Sequence, residues 1–200
     1  MDSDKLLEIK RQFVHLILGL LIAVFIFLIE PLYGKFVVIP LILAAAVLFI
    51  LPYIGTELRI HNYLQFHFER PKDIEHFPYR GAILYCIGII PAILLLNINT
   101  ACAIIAVLSV GDSTSTLIGS FYGNHRIGHK SIEGLAAFIF FSFFAGLIFL
   151  QNNTIMAIIF AVIGGIIELS NVYHDHIILD DNLLVPIGLT IVALLIQPFI

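Results

Sequence analysis

The chain predicts an all-α integral membrane protein of about seven transmembrane helices, with its N-terminus cytoplasmic. Three observations carry this. The mean hydropathy is +1.04. Only 12% of its 200 residues are charged, roughly half of what a soluble domain carries. Uncharged blocks recur at lengths near the ~20 residues a bilayer core requires, and the lysines and arginines gather on one side of them.

The elements follow in order. Residues 12–29 form the first block, behind a mixed-charge segment of Asp2, Asp4, Lys5, Glu8, Lys10 and Arg11. No small-residue cleavage site follows it, so it reads as a retained helix rather than a signal peptide. Residues 36–56 form the second span. Residues 81–111 are too long for one comfortable crossing and are cut by Asn97, Asn99 and Thr100, which makes a hairpin of two helices. Residues 134–167 behave in the same way, cut by Gln151, Asn152 and Asn153, and residues 183–200 complete the seven. With the N-terminus inside, only Lys35 of the ten basic residues falls outside, as the positive-inside rule requires. One polytopic domain, residues 1–200, accounts for the chain. The net charge of -4 offers no basic surface for nucleic acid, and Cys86 and Cys102 lie in apolar runs without metal-ligand spacing.

Two smaller features complete this pass. In residues 56–80, Leu58, Ile60, Tyr63, Leu64, Phe66 and Phe68 intersperse with Arg59, His61, His67, Glu69 and Arg70. That pattern suits an interfacial segment between helices 2 and 3, ended by Pro71. It reads either as a solvated linker with aromatic anchors or as a gate over a lipid entrance. An echo between Asn99-Thr100 and Asn153-Thr154, each leading into Ala-Ile-Ile, raises an internal duplication.

Polar chemistry concentrates in residues 8–15, 111–134 and 168–182. The middle segment packs Asp112, the hydroxyl run Ser113 to Thr116, Arg126, Lys130, two histidines and Glu133 into one island. Ionisable groups at membrane depth cost several kcal/mol each, on the order of 2.5–3.5 at a helix centre, so they mark function. Asp112 falls within the fourth span, about two turns from its inner end, with Thr116 four residues on along the same face. A carboxylate beside hydroxyls suits Mg²⁺, which takes oxygen ligands and keeps waters and phosphate oxygens; the competing reading is a proton-relay or packing aspartate. Arg126 and Lys130 suit phosphate oxygens, or simple positive-inside anchoring. Gly123 and Gly128 let backbone N–H groups turn toward an anion. The spacing from Gly123 to Lys130-Ser131 approaches a Walker A loop, which is rejected because that loop must join a strand to a helix. His125 and His129 have no zinc-ligand partner set.

In the third segment, Glu168 ends the sixth span and Asn171 lies one turn on, while Asp181-Asn182 precedes the last span, where it could cap the helix. This loop holds no Lys or Arg, so its acids need a cation from the island or from bound metal. At the N-terminus Glu8, Arg11 and His15 lie along one helix face and read either as an anchor or as a site wall.

The run EIKRQFVHLILG at residues 8–19, the GDS…G…KSIEG island and the E…DDNLLVPI run at residues 168–187 resemble, in that order, the polytopic membrane CTP-dependent lipid-alcohol kinases. That family includes dolichol kinase, phytol and geranylgeraniol kinases and the CTP-dependent diacylglycerol kinase. The resemblance implies transfer of the γ-phosphate of CTP to a membrane isoprenoid alcohol of the polyprenol, geranylgeraniol or phytol type. It implies nucleotide and metal roles for Asp112, Lys130, Ser131, Glu133, Asp181 and Asn182. The island also resembles part of phosphatidate cytidylyltransferase, but that enzyme's C-terminal Lys-Arg, Lys-Asp and His-Gly-Gly signature is absent, since no Lys or Arg follows Lys130. Thr114-Ser115 departs from the smaller apolar residues expected there.

The expected site follows. Asp112, Asp181 and Glu168 are the catalytic carboxylates. Asp112, Asp181 and Glu133 are the metal ligands, for Mg²⁺. Arg126, Lys130, Ser131, Glu133, Asn182 and Thr116 bind nucleotide. Glu8, Arg11 and His15 form a wall. The expected partners are CTP, a lipid alcohol and the bilayer, with the site on the cytoplasmic side. The alternatives are a cytidylyltransferase making a CDP-activated lipid and a transporter.

Overall fold

The computed structural model describes residues 3–54, 58–171 and 180–196. These form helices almost throughout: α1 (Ser3–Tyr33), a 3₁₀ turn (Gly34–Val37), α2 (Val38–Ile54), α3 (Arg59–Phe68), α4 (Pro71–His76), α5 (Arg80–Leu95) and α6 (Ile98–Tyr122). A hairpin of β1 (Arg126–Ile127) and β2 (Lys130–Ser131) follows, then α7 (Ile132–Phe149), α8 (Thr154–Ser170) and α9 (Asp181–Ile196).

Both expected hairpins are present as α5–α6 and α7–α8. Three stretches are long and apolar enough to cross a membrane: Lys5–Ile54, which holds α1, the 3₁₀ turn and α2, then Ile98–Tyr122 and Ile132–Phe149. The remaining apolar helices, α5, α8 and α9, have 16, 17 and 16 residues. The all-α fold is therefore present, and several of its helices suit membrane insertion by length and composition. The last residues of the expected second and seventh spans, 55–56 and 197–200, lie outside the described residues, as do residues 172–179 of the third polar segment.

Helix α6 is the axis. Residues Ala101 to Ser109 are almost wholly shielded from solvent, because α1 and α7 pack along α6 while α5, α8 and α9 complete its enclosure. The outward faces stay apolar, with Phe13, Leu21, Leu28, Phe140 and Ile148 exposed, as lipid-facing helices require.

The sequence echo falls at the hairpin turns. Asn97 caps α6 by accepting from Thr100 N at 2.9 Å, and Asn153 caps α8 by accepting from Met156 N at 3.1 Å. Of the echoed asparagines, Asn153 is thus a cap, whereas Asn99 lies in the first turn of α6, two residues after its cap.

The interfacial segment is helical. Helix α3 exposes Ile60, Tyr63 and Phe66 and buries His61, whose Nδ1 lies 2.8 Å from the Tyr79 hydroxyl. Pro71 does not simply end the segment: it opens α4 at a first-turn position, where its missing N–H costs nothing.

Close approach fixes α9 against α5. A Cβ on Gly88 would lie 2.3 Å from the Asn182 carbonyl oxygen and 2.9 Å from Pro186 Cγ. Gly81, on the same helix, has nothing nearer than Asn182 Nδ2 at 3.6 Å. Gly88→Ala is therefore expected to lower stability by about 1–3 kcal/mol, the usual penalty of overpacking, whereas Gly81→Ala stays within about 0.5 kcal/mol. Thermal melting of the two proteins in one detergent checks this, and equal melting temperatures would remove the packing argument.

Candidate functional site

The three polar segments meet in one cavity of about 340 Å³. Helix α1 brings Glu8, Arg11 and Gln12, and the α3–α4 junction brings Arg70. Helix α6 brings Asp112, Ser115, Thr116, Gly119 and Ser120, the hairpin brings Arg126, His129, Lys130 and Ser131, and the end of α8 and start of α9 bring Glu168 and Asp180 to Asn182.

Local structure explains each placement. Ser113 Oγ donates to the Gln12 carbonyl at 3.0 Å, fixing α1 against α6 beside Asp112. Ser131 caps α7, its Oγ accepting from Gly134 N at 3.0 Å. A Cβ on Gly134 would stand 2.9 Å from the Ser115 carbonyl, so glycine there lets the start of α7 close on α6. Gly128 turns the hairpin at φ +58°, a left-handed conformation that costs glycine little. These contacts set Lys130 over the end of α8.

The floor of the cavity is acidic. Ligand oxygens of Asp112, Glu168 and Asp181 lie within 4.8 Å of one another. Lys130 Nζ sits among them, 2.8 Å from Asp181 Oδ2 and 2.9 Å from Glu168 Oε1, and it also donates to the Glu168 main-chain carbonyl. Burial pulls the Lys130 pKa down, but Asp181 and Glu168 outweigh it and hold the pKa above the ordinary lysine value. Lys130 is therefore a cation throughout the physiological range.

Each carboxylate has a distinct environment. Asp181 is engaged on both oxygens: Oδ2 takes Lys130, and Oδ1 takes Asn171 Nδ2 at 3.1 Å. Glu168 is 2% exposed, and its Oε1 also accepts from Ser115 Oγ at 3.0 Å. Glu168 Oε2 is buried with no hydrogen-bond partner. Asp112 faces His15, with Oδ2 3.6 Å from Nε2. Three carboxylates against one ammonium, with an orphaned buried carboxylate oxygen beside a second carboxylate, fit a divalent cation. Asp112 and Glu168 would hold it.

The rim is basic. Glu8 gathers Arg11 Nη1 at 3.0 Å, Gln12 Nε2 at 3.0 Å, and Arg70 through Nε at 3.2 Å and Nη2 at 3.0 Å. Arg126 is exposed at the mouth and makes no ion pair among the described residues.

Measured against the expected site, Asp112, Glu168, Asp181, Thr116, Arg126, Lys130, Ser131, Asn182, Glu8 and Arg11 all line the cavity. His15 stands behind Asp112 rather than in the lining. Three roles change. Lys130 faces the carboxylates, not an open phosphate seat. Glu133 turns away to the His125 ring, 2.7 Å from its Nδ1, and to the His125 N–H at 3.1 Å, so it serves the hairpin rather than the metal cluster. Asp180, not the Asp181-Asn182 pair, caps α9: its Oδ1 accepts from Asn182 N at 3.0 Å, while Arg80 holds its Oδ2 at 2.8 Å. Lys130 and Arg80 thus supply the cations that the acidic third segment needs. Gln12, Arg70, Ser115, His129 and Asp180 were not among the expected site residues, whereas Ser120, four residues after Thr116, extends the Asp112–Thr116 face. Gln12, four residues after Glu8, and Ser115, one turn from Asp112, carried a helical-spacing signal.

Mn²⁺ titrated into the purified protein tests the division between the two glutamates. Glu133→Gln is expected to bind Mn²⁺ with wild-type affinity, and Glu168→Gln to bind at least about tenfold more weakly. The opposite order would return Glu133 to the metal site.

The chain is similar to the uncharacterized protein MJ1137 of Methanocaldococcus jannaschii, with 32% identity over 184 residues that cover 90% of this chain and 88% of that protein. No family model matches the chain, and no solved structure gives a significant match. The extent and identity of the alignment place the chain in one family with the Methanocaldococcus jannaschii protein.

Proposed function

We propose that the protein is a CTP-dependent kinase that phosphorylates a membrane isoprenoid alcohol, of the polyprenol, geranylgeraniol or phytol type, to its monophosphate. The observation that carries the reading is the convergence of three distant polar segments on one cavity with an acidic floor and a basic rim, at one end of an otherwise apolar helical bundle. In this reading α1, α2 and α5 to α9 cross the bilayer seven times, with the N-terminus and the cavity on the cytoplasmic side. CTP arrives from water, and the alcohol arrives from the bilayer it never leaves. The choice of CTP and of an isoprenoid acceptor rests on the resemblance of the three motifs.

Phosphoryl transfer asks a protein mainly for positioning and charge neutralisation. A bound Mg²⁺ would supply the neutralisation between the triphosphate and the carboxylates. Asp112 and Glu168 would hold it, and Asp181 keeps Lys130 charged and in place. Arg126 and the Arg11–Arg70 pair grip phosphate oxygens at the mouth, and Thr116 and Ser120 offer hydroxyls along the wall. The Glu8 carboxylate already gathers two guanidinium groups and an amide, the arrangement a phosphate oxygen cluster needs.

A transporter would need a polar path through the bundle. Ala101 to Leu108 of α6 are wholly buried among apolar side chains, which opposes a path beyond the cavity.

The test is a product assay on detergent-purified protein with γ-labelled CTP or ATP, Mg²⁺, and separate acceptors: geranylgeraniol, phytol, a long polyprenol, diacylglycerol and phosphatidate. Label in an isoprenoid monophosphate is the expected result. Pyrophosphate release with phosphatidate, and no label in lipid, would make it a CDP-lipid synthase. Asp112→Asn is expected to lose at least about a hundredfold in rate while keeping its elution profile, the scale of a lost transition-state electrostatic contact.

Orientation has its own check. In a background lacking Cys86 and Cys102, Lys35→Cys should react with a membrane-impermeant maleimide on intact cells, and His125→Cys only after permeabilisation. The reverse pattern would invert the topology.

A further inference from the structure

Glu168 is a carboxylate with one of two cation seats filled. Its Oε1 faces the Lys130 ammonium at 2.9 Å, and its Oε2 is buried without a partner. A carboxylate offers lone pairs on both oxygens and can serve two cations at once. Asp181 is engaged on both oxygens, one holding Lys130 and the other accepting from Asn171. Glu168 Oε2 has no hydrogen-bond partner, and Asp112, which shares the 4.8 Å group with Glu168 and Asp181, faces His15 at 3.6 Å.

Enzymes that transfer phosphoryl groups often use two metal ions as a clamp. We propose that this is a one-metal site in which the Lys130 ammonium stands in for the second ion. A divalent cation seats on Asp112 and Glu168 Oε2. Lys130, clamped by Asp181 Oδ2 and Glu168 Oε1, is the fixed second charge on the same bridging carboxylate. The three negative charges of the cluster are then balanced by one ammonium and one divalent ion. A second divalent ion would carry an excess of positive charge against Glu168, which is 2% exposed, and that is costly. The pairing of Asp181 follows from this: its task is to hold a lysine, and Asn171 orients it for that task. Lys130 is a positioning residue here, acting through Glu168 on the metal. The inference rests on the nucleotide and metal reading above.

Counting Mn²⁺ ions bound to the purified protein by electron paramagnetic resonance tests it. The wild-type protein is expected to bind one ion per chain. Lys130→Ser, which removes the ammonium and opens its volume, is expected to bind two. Lys130→Met keeps the volume without the charge, and is expected to bind one ion on the order of tenfold more tightly, because a neighbouring like charge has gone. A Lys130→Ser protein that binds a single ion, or a Lys130→Met protein with wild-type affinity, would overturn the inference and leave the kinase reading standing. A wild-type protein that binds no Mn²⁺ with CTP present or absent would overturn the metal reading, and the inference with it.

Discussion

The arrangement depends on one largely shielded ammonium. Carboxylates inside an apolar bundle are strongly destabilising unless a charge compensates them, and removing one partner of such a pair costs about 3–5 kcal/mol. Lys130 meets Glu168 38 residues away and Asp181 51 residues away. One side chain therefore ties the hairpin after α6 to the end of α8 and the start of α9. Its bond to the Glu168 carbonyl adds a cation at the C-terminal end of α8, where the helix dipole favours positive charge.

Around that contact the remaining polar groups divide their work. Asp180 caps α9 and takes Arg80, which frees Asp181 for Lys130. Ser115 and Asn171 each orient one carboxylate. At the rim, Arg70 reaches from the α3–α4 junction to Glu8 of α1, so the interfacial segment is fastened to the mouth of the cavity. Its other end is held where Glu69 accepts the Tyr79 N–H at 3.2 Å. Burial raises the Glu69 carboxyl pKa from its ordinary value.

What the sequence made legible follows from which signals are local. The breaks at Asn97 and Asn153, the inner end of α6 and the shared face of Asp112 and Thr116 all depend on spacing within one helix or turn, and all are present. The meeting of the three segments followed from their lying at the same ends of their helices. The partners of Lys130, Glu133 and Asp181 were not legible, because each partner is chosen by how helices pack. Lys130 looked like a phosphate ligand because a lysine in a glycine-rich loop is free in sequence terms. Only the close approach of α7 to α6 at Gly134 turns it inward. Arg70 gave no signal at all, since nothing in residues 56–80 fixes where the α3–α4 junction docks.

The same packing determines why the chemistry sits at one end. The core of α6 from Ala101 to Leu108 admits no polar side chain, and Gly111 lets Phe138 cross where a Cβ would stand 2.6 Å from its Cζ. Asp112 is the next residue. The apolar core and the carboxylate cluster thus abut within one turn of a single helix, with Phe138 behind and water in front. In the proposed kinase this boundary would stop a charged donor at Asp112, while an acceptor held in lipid would approach along the apolar faces, so that neither need leave its own phase.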